Sequence, residues 1–121
     1  MSRAILEEAH IHPAVRDYIA NHHSGIVQEV RAAVAANAVV VVGMRQNPMP
    51  RKARKVLDAA GIAYKYLEYG SYLSEWRRRN ALKMWTGWPT FPMVFVKGVL
   101  VGGANDVAKL VDSGELAKLP A

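Results

Sequence analysis

"WPTFPMVFVKGVLVGG", residues 88–103, is the stretch on which the fold turns. Residues 92–96 and 99–101 are apolar, largely β-branched runs separated only by Lys97-Gly98, the pattern of a β-hairpin with a tight, glycine-containing turn. Gly102-Gly103 ends the second run. Asn105 then stands where it would cap a final helix through Leu110 and Val111, closed by Gly114.

Upstream, residues 38–42 form a short uninterrupted β-branched run, the mark of a strand covered on both faces in a parallel or mixed sheet. A helix is expected over residues 48–60, stopped by Gly61, then a second strand over 62–68 and a helix over 73–85 started by Ser71 or Ser74. Nearer the N-terminus, Ser24 is placed to cap a helix whose stripe is Ile26, Val27, Val30, Ala33 and Val34. Residues 2–23 read as helical with a break at His12-Pro13, Pro13 opening a second short helix. The order is β-α-β-α-β-β-α behind a helical preface. No repeat or linker interrupts it, so the expected organisation is an extension over residues 1–23 and one α/β domain over 24–121.

With 121 residues, 51% of them apolar, the chain can bury one real core. A net charge of +6 favours acidic protein partners, small anions or weak contact with nucleic acid. Cysteine is absent, which removes disulfides, thiolate-bound zinc, Cys-ligated iron–sulfur clusters and thiol nucleophiles from this chain acting alone. Glu7 and Glu8 occupy the place where a secretory signal needs its apolar stretch, and no run approaches the roughly 20 apolar residues of a membrane span. A cytoplasmic protein without membrane attachment is the expectation.

The element order, together with the Trp88-Pro89-Thr90-Phe91-Pro92 wording and the Gly102-Gly103 that follows the hairpin, resembles the glutaredoxins of the thioredoxin-like superfamily, and their monothiol branch above all. The resemblance spans roughly residues 24–116. It implies a thioredoxin-like fold, a central four-stranded mixed sheet flanked by helices. By this resemblance Asn47 falls on the nucleophilic cysteine and Pro50 on the second cysteine or serine, so the catalytic set is empty. Pro92 would be cis, and Phe91 before it would offer backbone groups to an extended peptide such as glutathione. Gly103, Ala104 and Asn105 would receive the γ-glutamyl end, with Asn105 where the family carries an acid. Arg79 matches the residue that meets the glycyl carboxylate. The lysine that precedes the nucleophile is Met44 here, with Arg45 beside it.

Physical chemistry explains how such a scaffold outlives its sulfur. Asparagine is a strong N-cap, its side-chain oxygen accepting from the second or third helical N–H. Pro50, at the third position, has no N–H, so the cap bond must come from Met49, and Pro48 is tolerated at the first position, where its donor would be orphaned anyway. Arg51, Lys52, Arg54 and Lys55 wrap a helix face that water solvates; as a docking patch they would suit an acidic partner. His10, His12, His22 and His23 all fall in the extension, without the convergence that zinc demands. The aromatic residues sit at strand and helix spacing with no nucleic-acid motif beside them, which argues against nucleic-acid binding.

Three functions compete at this level. The first is a cysteine-less, redox-inactive binding module with a groove for glutathione or an extended peptide. The second, from resemblance alone, is a glutathione-dependent disulfide oxidoreductase or a protein of iron–sulfur assembly. The third is a structural or regulatory interaction protein that uses its basic helices. Glutathione is the one small ligand implied, and no metal site is expected.

Overall fold

In the computed structural model, which describes residues 3–118, strands β3 (Met93–Val96) and β4 (Val99–Gly102) form the hairpin that the sequence requires. Its two turn residues, Lys97 and Gly98, have φ values of 51° and 82°. Positive φ at both central positions matches the turn to the right-handed twist of the strands.

β1 (Val39–Gly43) pairs antiparallel with β3 and parallel with β2 (Lys65–Glu68), giving a mixed sheet in the order β2-β1-β3-β4. A parallel pair needs a crossover, and α3 (Pro48–Ala59) supplies it. Successive strand residues point to opposite faces. Val40 and Val42 therefore join Met93 and Phe95 under α2 (Ser24–Ala36) and α4 (Trp76–Thr86), where Ile26, Val30 and Leu82 are buried. Val39 and Val41 join Val94 and Val96 on the other face, under Ala53 and Leu57 of α3 and Val107 of α5 (Ala104–Ser113). Each of these buried aliphatic side chains contributes about 1.5–3 kcal/mol over an exposed one, which is why the valine run carries no polar residue. This is the thioredoxin-like arrangement expected, a four-stranded mixed sheet between helices.

Several boundaries depart from expectation. Residues 3–7 are not helical; one 3₁₀ turn (Glu8–His10) precedes α1 (Pro13–Asn21). Ile5 and Leu6 are 67% and 65% exposed, so a helix there would have no face to bury. Met1 and Ser2 of the expected extension, and residues 119–121 of the expected α/β domain, lie outside the described residues. Ser24 is the first residue of α2 rather than its cap. The connection from α1 is so short that His23 occupies the cap position in the left-handed region, φ 45°, with no side-chain cap bond. β2 begins at Lys65, three residues after the alternation starts. α4 begins at Trp76, because Ser71 and Ser74 spend their hydroxyls on the preceding turn: Ser74 Oγ accepts from Ser71 N at 3.0 Å and Ser71 Oγ from Leu73 N at 3.3 Å.

At the C-terminal end of α4, Arg3 donates from Nη1 to the Thr86 carbonyl at 3.1 Å. Gly87 follows with φ 76°, and a side chain there would overlap the Arg3 guanidinium. Among the described residues no helix is long and apolar enough to cross a membrane.

Candidate functional site

The site begins where β1 ends. A Cβ on Gly43 would come within 2.7 Å of Pro50 Cβ and 2.9 Å of the Tyr66 hydroxyl, so the first turn of α3 lies directly on the strand end. Asn47 caps α3 with extended backbone, and its Oδ1 accepts from Met49 N at 2.9 Å. Pro48 and the buried Pro50 bring no N–H into that turn.

The amide's other end faces a different element. Asn47 Nδ2 donates to the Phe91 carbonyl at 3.3 Å, joining the loop after β1 to the loop before β3, and the Phe91–Pro92 peptide there is cis. Among the described residues no protein acceptor takes the Phe91 N–H.

The far wall is the start of α5. Gly103 is its N-cap and donates from N to Asp106 Oδ2 at 2.9 Å. The expected cap, Asn105, is instead the second helical residue, because the helical ladder already begins with Val107 N donating to Gly103 O at 3.0 Å. The Asn105 Oδ1 is free to be used across the groove, where it accepts from Lys52 Nζ at 2.6 Å.

Asn47, Phe91, Pro92, Gly103, Ala104 and Asn105 enclose one cavity of about 280 Å³, completed by Met49, Trp88, Thr90 and Asp106. The first-turn N–H groups of α5 favour an anion at this corner, while the Asp106 carboxylate opposes one. Lys52 returns positive charge to the rim. Of the residues that sequence reasoning passed over, Asp106 had a signal: it stands three positions after Gly103, the spacing at which an acidic side chain reaches back to the N-cap N–H. Trp88 and Thr90 were in view only as part of the motif.

Two of the sequence-chosen residues are placed elsewhere. Arg45 is exposed and donates its backbone N–H to Gly70 O at 2.7 Å, and its side chain does not line the cavity. Arg79, chosen as the contact for a glycyl carboxylate, is only 6% exposed and turns inward. Its Nη1 donates to the carbonyls of Tyr69, at 2.9 Å, and Ser74, at 2.5 Å, so it ties the β2–α4 connection to the helix instead of facing a ligand. Burial lowers its pKa and the Glu75 carboxylate works against that shift. Met44, beside Arg45, is buried in the core.

Behind Gly43, the Tyr66 hydroxyl donates to Glu68 Oε1 at 3.1 Å, and the Arg54 guanidinium lies 4.0 Å above its ring. Burial, reinforced by the bond to Glu68 and that carboxylate's charge, pushes the phenol up to about 12, with Arg54 pulling the other way. Tyr66 is therefore a neutral phenol at the pH of cells and supplies no phenolate to replace the sulfur.

Comparison with known proteins agrees with this geometry. The sequence matches the Glutaredoxin family profile over residues 39–101. It is 48% identical over 102 residues to a glutaredoxin-like protein of Dictyostelium discoideum, covering 84% of this chain and 83% of that one. It is 36% identical over 64 residues to a bifunctional monothiol chloroplastic glutaredoxin of Arabidopsis thaliana, covering 53% of this chain but 22% of that protein. The crystal structure of a buckwheat glutaredoxin–glutathione complex superimposes with a TM-score of 0.68 at 25% identity, over 81% of this chain and 89% of that one. The chain, cysteine-free as it is, belongs to the glutaredoxin family.

Proposed function

We propose that this protein is a redox-inactive glutaredoxin-like binding module, in which the cavity beside Asn47 takes glutathione or an extended peptide segment. Thiol–disulfide exchange needs a thiolate to attack sulfur. The chain has no thiol, and an amide cannot substitute for one.

The observation that carries the reading is the juxtaposition of two sets of backbone donors across one cavity. The Phe91 N–H, without a protein acceptor among the described residues, lies on one wall, and the first-turn N–H groups of Ala104 and Asn105 lie on the other. Backbone recognition of this kind survives changes of side chain. An extended peptide would pair with Phe91, and its terminal carboxylate would lie at the start of α5. The buckwheat relative is a glutathione complex, which supports the same ligand class here. The Asn47–Phe91 bond, at 3.3 Å, leaves the carbonyl its second lone pair for a ligand N–H. Placement of Asp106 at the rim, and of Arg79 away from it, predicts weaker binding than in a relative with two cationic contacts.

Titration with glutathione followed by amide NMR tests this. Saturable shifts at Phe91 and Ala104 are expected; their absence sinks the small-ligand version. A glutathione-dependent disulfide reduction assay should give no rate above buffer, and turnover by the unaltered chain would overturn the redox-inactive half of the proposal.

A further inference from the structure

A second cavity, of about 650 Å³, lies at the other end of the sheet from Asn47. Val39 pairs with Val96 and Val42 with Met93, so residues 37–38 and the Lys97-Gly98 turn share one end while Gly43 and Pro92 share the opposite one. The volume is in the range of pockets that hold small organic ligands.

Its floor is aromatic. Trp85 of α4 stacks on Phe95 of β3, ring centroids 5.9 Å apart and planes 25° from parallel. Phe95 is buried at 5% exposure, whereas Trp85 remains 38% exposed and lines the cavity. Val34 of α2 completes the apolar wall.

Among the described residues, the charged side chains that line the cavity are Arg31 and Lys97. The nearby carboxylate on α2, Glu29, is paired with Arg78 at 3.0 Å, and among the described residues Arg31 has no acidic partner. Arg31 also lines a cavity of about 320 Å³ beside Met84.

These features select a ligand by elimination. A cation drawn to the indole face would meet the like charge of Arg31. A small inorganic anion would leave the aromatic floor unused, and a neutral hydrocarbon would desolvate a guanidinium without pairing it. A flat apolar body with one anionic head satisfies both, stacking on the indole and presenting a carboxylate to the planar guanidinium. We propose that this cavity binds a small aromatic carboxylate, its ring on Trp85 and its carboxylate on Arg31. The site is independent of the one beside Asn47.

The test uses the full chain, naphthoate, and its uncharged analogue naphthamide, with amide NMR as the readout. Naphthoate should give saturable shifts at Asn37, Ala38 and Gly98 and none at Phe91 or Ala104. Arg31→Gln, a change on an exposed helix face, should weaken naphthoate about tenfold and leave naphthamide unchanged, while Trp85→Ala should weaken both. Unsaturable shifts, saturation at Phe91 and Ala104 instead, or equal naphthoate affinity in Arg31→Gln would each overturn the proposal.

Discussion

The Asn47 amide holds two elements at once: its oxygen is 2.9 Å from Met49 N at the start of α3, and its nitrogen is 3.3 Å from the Phe91 carbonyl in the loop before β3. A cysteine has a single sulfur, a weak donor and weak acceptor, and could not make both bonds with separate atoms. Asn47 is thus a structural tie between the two loops that border the cavity.

Asn47→Ala removes both bonds and should cost about 1–2 kcal/mol, the sum of a lost N-cap and a modest net hydrogen bond. Asn47→Asp keeps the oxygen acceptor and loses the donor, so it should cost less. Urea denaturation of the two variants checks the order; an alanine variant as stable as the parent would refute the double role.

Gly43→Ala should destabilise by about 1–3 kcal/mol through overpacking. The new methyl would meet Pro50 and the Tyr66 hydroxyl at 2.7 and 2.9 Å, and the proline ring has little freedom to retreat. Thermal unfolding measures this directly.

Arg79→Met leaves the Tyr69 and Ser74 carbonyls without their donor and should cost about 1–3 kcal/mol for buried groups left unpaired. Glutathione-induced shifts at Phe91 and Ala104 should survive in this variant. Stability unchanged with shifts abolished would return Arg79 to the ligand role that resemblance gave it.

These positions show how far the sequence could be read. Val39–Gly43 and Lys97-Gly98 declared themselves because an unbroken β-branched run and a two-residue turn each have few structural solutions. Asn47, with prolines one and three residues later, fixed its own cap partner as Met49. Arg79 did not declare its direction: periodicity gives its angle on α4, but whether that angle meets a ligand or the chain's own carbonyls depends on how residues 69–75 wrap, and no local pattern encodes that. Asn105 misled because Asx residues cap helices so often, while the stronger arrangement, Gly103 with Asp106, began two residues earlier. The N-terminal residues failed as a helix for want of a surface to pack on.

Tyr66 makes the fold sensitive to alkali. Its folded pKa, about 12, lies above the ordinary tyrosine value near 10, so the folded state holds the phenol proton more tightly than the unfolded chain. The contribution is complete below pH ~10 and is lost as pH rises toward ~12. Tyr66→Phe should flatten that part of the stability profile relative to the parent, and phenolate absorbance should show one late-titrating tyrosine fewer.

The two outer strands differ in what they offer a neighbour. β2 carries exposed Lys65 and Glu68, charges that discourage a foreign strand from adding on; β4 carries Val99, Leu100 and Val101 with no charge among them. When this protein begins to come apart, intermolecular cross-β growth should start along β4, and a lysine placed at Val99, already 42% exposed, should delay turbidity on heating without touching either cavity's chemistry.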